Sequence, residues 1–150
     1  MDNIYLAMYK AKGNWIDSVI RFFTGNPYSH CEIAIKKLKF ESGDRCRPEE
    51  YYECYSSSPR DGGVRMKRQQ LPHDKWDLIP IDKLINSEDI IDFFQKTKSK
   101  KYDYLGALGI VFGTPEKPNR FFCSEWCYNL VFGRKDGYKI SPNKLAELLK

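Results

Sequence analysis

The chain has 150 residues, with 25 Lys plus Arg against 20 Asp plus Glu, 41% hydrophobic residues and 15% aromatic residues. A chain of this length buries about 68–70% of its unfolded surface and folds without a disulfide or metal staple, and it is too short for two ordinary domains, so residues 1–150 are read as one domain. No apolar run approaches the ~20 residues of a membrane-spanning helix. The start, Met1-Asp2-Asn3-Ile4-Tyr5, lacks the basic and apolar regions of a secretory leader, which makes the expected location cytoplasmic.

The net charge of +5 is dispersed among acidic residues, so no nucleic-acid partner is expected; the densest basic cluster, Lys96 to Lys101, reads as a solvated helix end. Five cysteines (Cys31, Cys46, Cys54, Cys123, Cys127) are odd in number and irregularly spaced, which argues against a disulfide framework and for a reducing compartment.

In chain order, the alternation of Ile4, Leu6 and Met8 with Tyr5, Ala7 and Tyr9 predicts a strand with two largely apolar faces. A helix is expected next, capped by Asn14, with Ile16, Val19, Ile20 and Phe23 on one stripe and Gly25 and Pro27 to stop it. Ser29 to Ile35 reads as a strand that Lys36 to Phe40 extends. A polar loop around Gly43-Asp44-Arg45 leads to its hairpin partner, Tyr51 to Tyr55. Ser56 to Gly63 is turn-rich, and Val64 to Lys67 and Trp76 to Ile81 read as further strands.

In the second half, Asn86 or Ser87 caps a helix carrying Ile90, Ile91 and Phe94. Tyr102 to Gly113 keeps helical spacing at Leu105, Leu108 and Phe112 despite three glycines and is read as a closely packed helix. Phe122, Cys123, Trp126, Cys127, Leu130 and Val131 define a helix over Cys123 to Phe132 that Gly133 ends. Ser141-Pro142 opens the last one.

Only two histidines are available as a general base. His30 precedes an apolar strand that holds it, whereas His73 lies in a polar loop. Cys123 opens the best-defined helix, where unpaired backbone N–H groups and the helix dipole favour a thiolate. Cys31, Cys46 and Cys54 are read as small core hydrophobes, and Cys127, one turn beyond Cys123, as packing beside it, with resolution of an oxidised Cys123 as the alternative.

With these residues in view, Tyr28-Ser29-His30-Cys31-Glu32-Ile33-Ala34-Ile35, Tyr51-Tyr52-Glu53, Tyr102-Asp103-Tyr104-Leu105-Gly106, Phe121-Phe122-Cys123-Ser124-Glu125 and Ile140-Ser141-Pro142 together resemble the permuted NlpC-type papain-like cysteine hydrolases of the YiiX and YebB kind. This group includes lecithin retinol acyltransferase-like proteins, and in it the histidine precedes the cysteine, as here. The resemblance spans nearly the whole chain. It implies an α+β fold with a papain-like core, a small antiparallel sheet flanked by helices, and a site made of the nucleophile Cys123, the base His30 and an orienting acid, Glu53, on the next strand. It also implies that Tyr102 contacts the substrate. The sequence departs from the family's usual pattern in Cys31-Glu32, where small or apolar residues are common after the histidine.

Glu32 and Glu53 compete for the third role. Glu32 lies two residues from His30 on the same strand face, about 6.5 Å along the chain. Glu53 is the favoured one, on the expectation that it lies across from His30, where Cβ atoms approach to about 4.5–5.5 Å.

The implied activity is cleavage of an amide, peptide or ester bond through an acyl-enzyme, with no cofactor and no metal. The substrate is a peptide, acyl or lipid compound. If it is a cell-wall peptide, access requires lysis, a virion or another delivery route. The alternatives are an acyltransferase or thioesterase on lipid or acyl-protein substrates, a non-catalytic binding relative, and a metal module built on His30, Cys31, Cys54, Cys123 and Cys127. The last lacks two paired short-spaced ligand segments.

Overall fold

The computed structural model describes residues 3–11, 27–40, 48–104 and 120–150. The helix expected over Asn14 to Phe23, the loop at Gly43 to Arg45, Cys46 and all but the first residues of the Tyr102 to Gly113 helix lie outside them.

The described part is α+β. Its strands are β1 (Ile4–Tyr9), β2 (His30–Lys39), β3 (Glu49–Ser58), β4 (Gly63–Gln69), β5 (Trp76–Pro80), β6 (Lys101–Tyr102) and β7 (Arg120–Phe121). They form one sheet in the order β5-β1-β2-β3-β4-β6-β7. Every pairing is antiparallel except β6 with β7, which is parallel. The sheet is therefore mixed, and with seven strands it is larger than the small antiparallel one expected. Three helices are described: α1 (Ser87–Thr97), α2 (Cys123–Phe132) and α3 (Pro142–Leu149).

β3 runs through Ser56, Ser57 and Ser58, where composition suggested a turn. The serines stay in the strand because their polar groups find partners: Ser56 Oγ donates to the Cys31 carbonyl at 2.7 Å, and Ser57 Oγ to that of Phe121 at 2.7 Å. A buried hydroxyl with such a partner no longer disfavours the sheet.

Alternation along the strands divides the sheet into two faces. Ile4, Leu6, Met8, Cys31, Ile33, Ile35 and Tyr55 share one buried cluster with Trp126, Cys127, Leu130 and Val131 of α2 and Leu145 and Ala146 of α3. The helix that begins at Cys123 thus packs on the sheet that carries His30 and Glu53. Trp126, fully buried, donates Nε1–H to Thr97 Oγ1 at 2.9 Å and ties α2 to the end of α1. The other face holds Ala7, Ala34, Cys54, Leu71 and Trp76.

Helix ends follow the sequence signals. Asn86 caps α1 in a capping box with Asp89, Ser141 caps α3 ahead of Pro142, and Gly133 ends α2 with φ of 62°. At Gly63 a Cβ would stand 2.2 Å from the Lys100 carbonyl oxygen, so this glycine permits the close approach that seats β6, and with it Tyr102, beside β4.

Candidate active site

His30 is the first residue of β2 and Cys123 the first of α2. The segment leading to His30 is clamped from both sides. Tyr28 N–H donates to Asn143 Oδ1 and Asn143 Nδ2 to the Tyr28 carbonyl, both at 3.0 Å, while Ser29 N–H donates to the Tyr9 carbonyl at 3.1 Å. At the other terminus, Glu125 accepts from Phe122 N–H at 3.4 Å, and Ser124 Oγ donates to the Ile140 carbonyl at 2.6 Å. These contacts anchor the two strand and helix ends from which the site is built.

The pleat assigns His30, Glu32 and Ala34 to the face turned away from α2 and Cys31, Ile33 and Ile35 to the face beneath it. The papain-like reading expects His30 and Cys123 on one face of the sheet, and the pleat of β2 departs from that expectation by turning His30 to the other face. The structure still brings them together where β2 begins, near enough for the charge of each to act on the other.

The carboxylate that meets His30 is Glu32. Its Oε1 lies 2.9 Å from His30 Nε2. The expectation that Glu53 stands across from His30 is overturned, because the β2–β3 register pairs Glu53 with Ile35, and continuing it would bring Ser58 opposite His30. Glu53 belongs to the α2 face and accepts from Arg68 Nε at 3.1 Å. Glu32 reaches the ring although the two residues are neighbours on one strand, because His30 begins the strand with the Glu32 side chain beside it, 2% exposed.

The charges follow from this packing. The largest influence on the Cys123 thiol is its hydrogen bond with Cys31, opposed by burial and reinforced by the charge and hydrogen bond of His30; together they hold it well below the usual thiol range. Burial alone would depress the His30 imidazole, yet the charge and hydrogen bond of Cys123, followed by those of Glu32, raise it to about 10. Burial would raise Glu32, but His30 and then Arg65 bring it down to about 2. All three shifts act in the direction of the charged forms, thiolate, imidazolium and carboxylate.

Nε2 is committed to Glu32, which leaves Nδ1 as the ring nitrogen able to exchange a proton with the sulfur.

Cys31 is the residue that sequence reasoning missed. It is fully buried as expected, and burial, followed by its thiol neighbours Cys123 and Cys127, pushes its thiol well above the usual range. Its adjacency to the candidate base was the available signal. Cys127 is buried in the core, its Sγ 3.8 Å from the Cys31 carbonyl oxygen, and Cys54 is buried on the far face. His73 is exposed in a turn between β4 and β5.

A cleft of about 440 Å³ opens on His30, Glu32, Arg65, Trp76, Tyr102 and Tyr104. Tyr102 is 3% exposed, its ring centroid 5.0 Å from that of Tyr104. Cys123 is 4% exposed and adjoins His30 and Tyr102 rather than lining the cleft itself. Among the described residues no group of three or more His, Cys, Asp or Glu side chains is placed to hold a metal, and no helix is long and apolar enough to cross a membrane.

The comparisons are silent. Neither family models, nor curated proteins, nor solved structures gave a match to this chain. The reading of the site therefore rests on its own geometry and chemistry.

The depressed Glu32 carries a stability consequence. A group whose folded pKa lies below its unfolded value stabilises the fold above the unfolded pKa, and that stability is lost as pH falls through the folded one. For Glu32 the window runs from the ordinary carboxylate range near 4.3 down to about 2, and the shift corresponds to about 3 kcal/mol. Urea unfolding across this window should show wild type losing that much more stability than Glu32→Gln; equal losses would remove Glu32 from the charged network.

Proposed function

We propose that this chain is a cysteine hydrolase with a permuted NlpC-type papain-like core, acting on an amide, peptide or ester carbonyl through Cys123, His30 and Glu32. The observation that carries the reading is an imidazole, His30, bound at 2.9 Å to the buried Glu32 carboxylate and adjoining a cysteine at the first position of a helix, surroundings that push that thiol down. Structural cysteines in apolar surroundings shift the other way.

The chemistry follows from the charge states. The Cys123 thiolate attacks the carbonyl carbon, an S–C bond forms, and the unpaired N–H groups at the start of α2 offer donors to the developing oxyanion. As the C–N or C–O bond breaks, His30 delivers its Nδ1 proton to the leaving group. Water then attacks the thioester, His30 takes its proton, and the acid departs as the thiolate and imidazolium are restored. Glu32 holds the ring through Nε2 in both halves. The aromatic walls of the cleft, Trp76, Tyr102 and Tyr104, offer apolar surface to an acyl or peptidyl group. Replacing that water by another nucleophile turns the same acyl-enzyme into an acyltransferase intermediate, so that activity shares the site.

The deciding experiment is labelling of the folded protein with acyl and peptidyl electrophiles, followed by mapping of the modified residue. Modification should concentrate on Cys123 and fall when His30 is replaced by asparagine. Faster modification of Cys46 or Cys54 would refute the assignment.

A further inference from the structure

Glu32 is held by more than His30. Its Oε1 also accepts from Arg65 Nη2, and its Oε2 accepts from Gln69 Nε2 at 2.9 Å. Both donors come from β4, two strands away. The β3 residue between them, Ser56, pairs with Arg65, and its small side chain leaves room for Arg65 to cross to the β2 carboxylate. Arg65 is itself fixed, donating through Nε to Asp61 Oδ2 at 3.0 Å and through Nη1 to the Cys54 carbonyl at 3.3 Å. A second cation on β4, Lys67, is paired with Asp61. The Cys54 thiol on β3 also feels Glu32, and on β1 the residue opposite Glu32 is Ala7.

A carboxylate this deeply buried raises a difficulty for the proposed reaction. While His30 is an imidazolium, the ion pair keeps Glu32 charged. When His30 loses its charge, burial favours proton movement from Nε2 to Glu32, which would leave the Nδ1 proton on the ring and none for the leaving group. We propose that Arg65, assisted by Gln69, is a positioning residue that keeps Glu32 ionised and aimed at Nε2 throughout turnover, so that the imidazolium loses its proton from Nδ1 to the leaving group. The S–C bond that forms and the C–N or C–O bond that breaks are those of the proposed hydrolysis, on which this role rests. Neither Arg65 nor Gln69 touches the reacting atoms.

The test follows the carboxyl carbon of Glu32 by NMR in full-length protein labelled at the glutamate side chain, the signal being assigned through Glu32→Gln. Arg65→Gln should raise the Glu32 titration by about one pH unit or more, and Arg65→Lys, which keeps the charge, should recover most of the shift. The acid limb of Cys123 acylation by p-nitrophenyl acetate should move by the same amount, whereas a purely structural loss would lower the melting temperature and leave both titrations in place. If Arg65→Gln does not fold, Gln69→Met removes the other donor and should shift Glu32 in the same direction by a smaller amount. An unchanged Glu32 titration in the folded variant overturns the role of Arg65. Failure of the hydrolase reading is seen separately, as unchanged Cys123 alkylation in His30→Asn.

Discussion

Cys123→Ala should abolish labelling by acyl electrophiles and reduce turnover of a cleaved ester or amide by on the order of 10⁴- to 10⁶-fold, the scale on which loss of a catalytic nucleophile is felt. The size of the effect follows from what the other cysteines lack. Cys31 is held protonated by burial and by its thiol neighbours, and burial likewise pushes the Cys54 thiol up. Neither can replace a thiolate stabilised by the start of a helix, an imidazolium and a thiol donor. Cys127→Ala, one turn along α2, should leave labelling in place and cost stability instead, since it deletes a buried side chain from the core. Parallel labelling and melting curves of the two variants separate the roles. Persistent modification in Cys123→Ala at the wild-type rate would place the nucleophile elsewhere.

The second large effect belongs to Glu32. Glu32→Gln keeps the shape but removes the negative charge beneath the imidazolium, and turnover should fall by about 100-fold or more as tautomer control and charge support are lost. The base limb should move as well, because the His30 pKa, raised to about 10, depends in part on this carboxylate. That limb should shift to lower pH, since the imidazolium would give up its proton more readily. Glu53→Gln should change turnover little, because its carboxylate is bound to Arg68 on the helix face and does not meet His30. A larger loss at Glu53 than at Glu32 would reverse this order.

The choice between the two glutamates shows where reading a sequence stops. Both residues are recognisable as candidates in the sequence, and cross-strand geometry favours Glu53 over a residue two positions along the same strand. Register decides the matter. The β2–β3 pairing sets Glu53 against Ile35, and a strand's faces alternate so strictly that this also assigns Glu53 to the opposite side of the sheet. No local pattern in Tyr51-Tyr52-Glu53 reveals that offset, because these residues fit a strand equally well in several registers. Arg65 and Gln69 were invisible for a related reason. They meet Glu32 only once β2, β3 and β4 lie side by side, over sequence separations that no motif spans.

What the sequence determined by itself were features with local causes. Period-2 alternation placed β1 and most of β2 to β5, capping residues placed α1 and α3, and a helical stripe ending at Gly133 placed Cys123 at the first position of α2. The two residues that form the proposed dyad could therefore be named in advance. Only the tertiary structure decided how they meet: His30 on one pleat face and Cys123 at a helix start join where β2 begins, with Cys31 reaching the same sulfur from the other face. The reason is physical. Secondary structure answers to neighbours a few residues apart, whereas a buried charge must find its partners wherever packing brings them, and those partners set the charge states on which the chemistry depends.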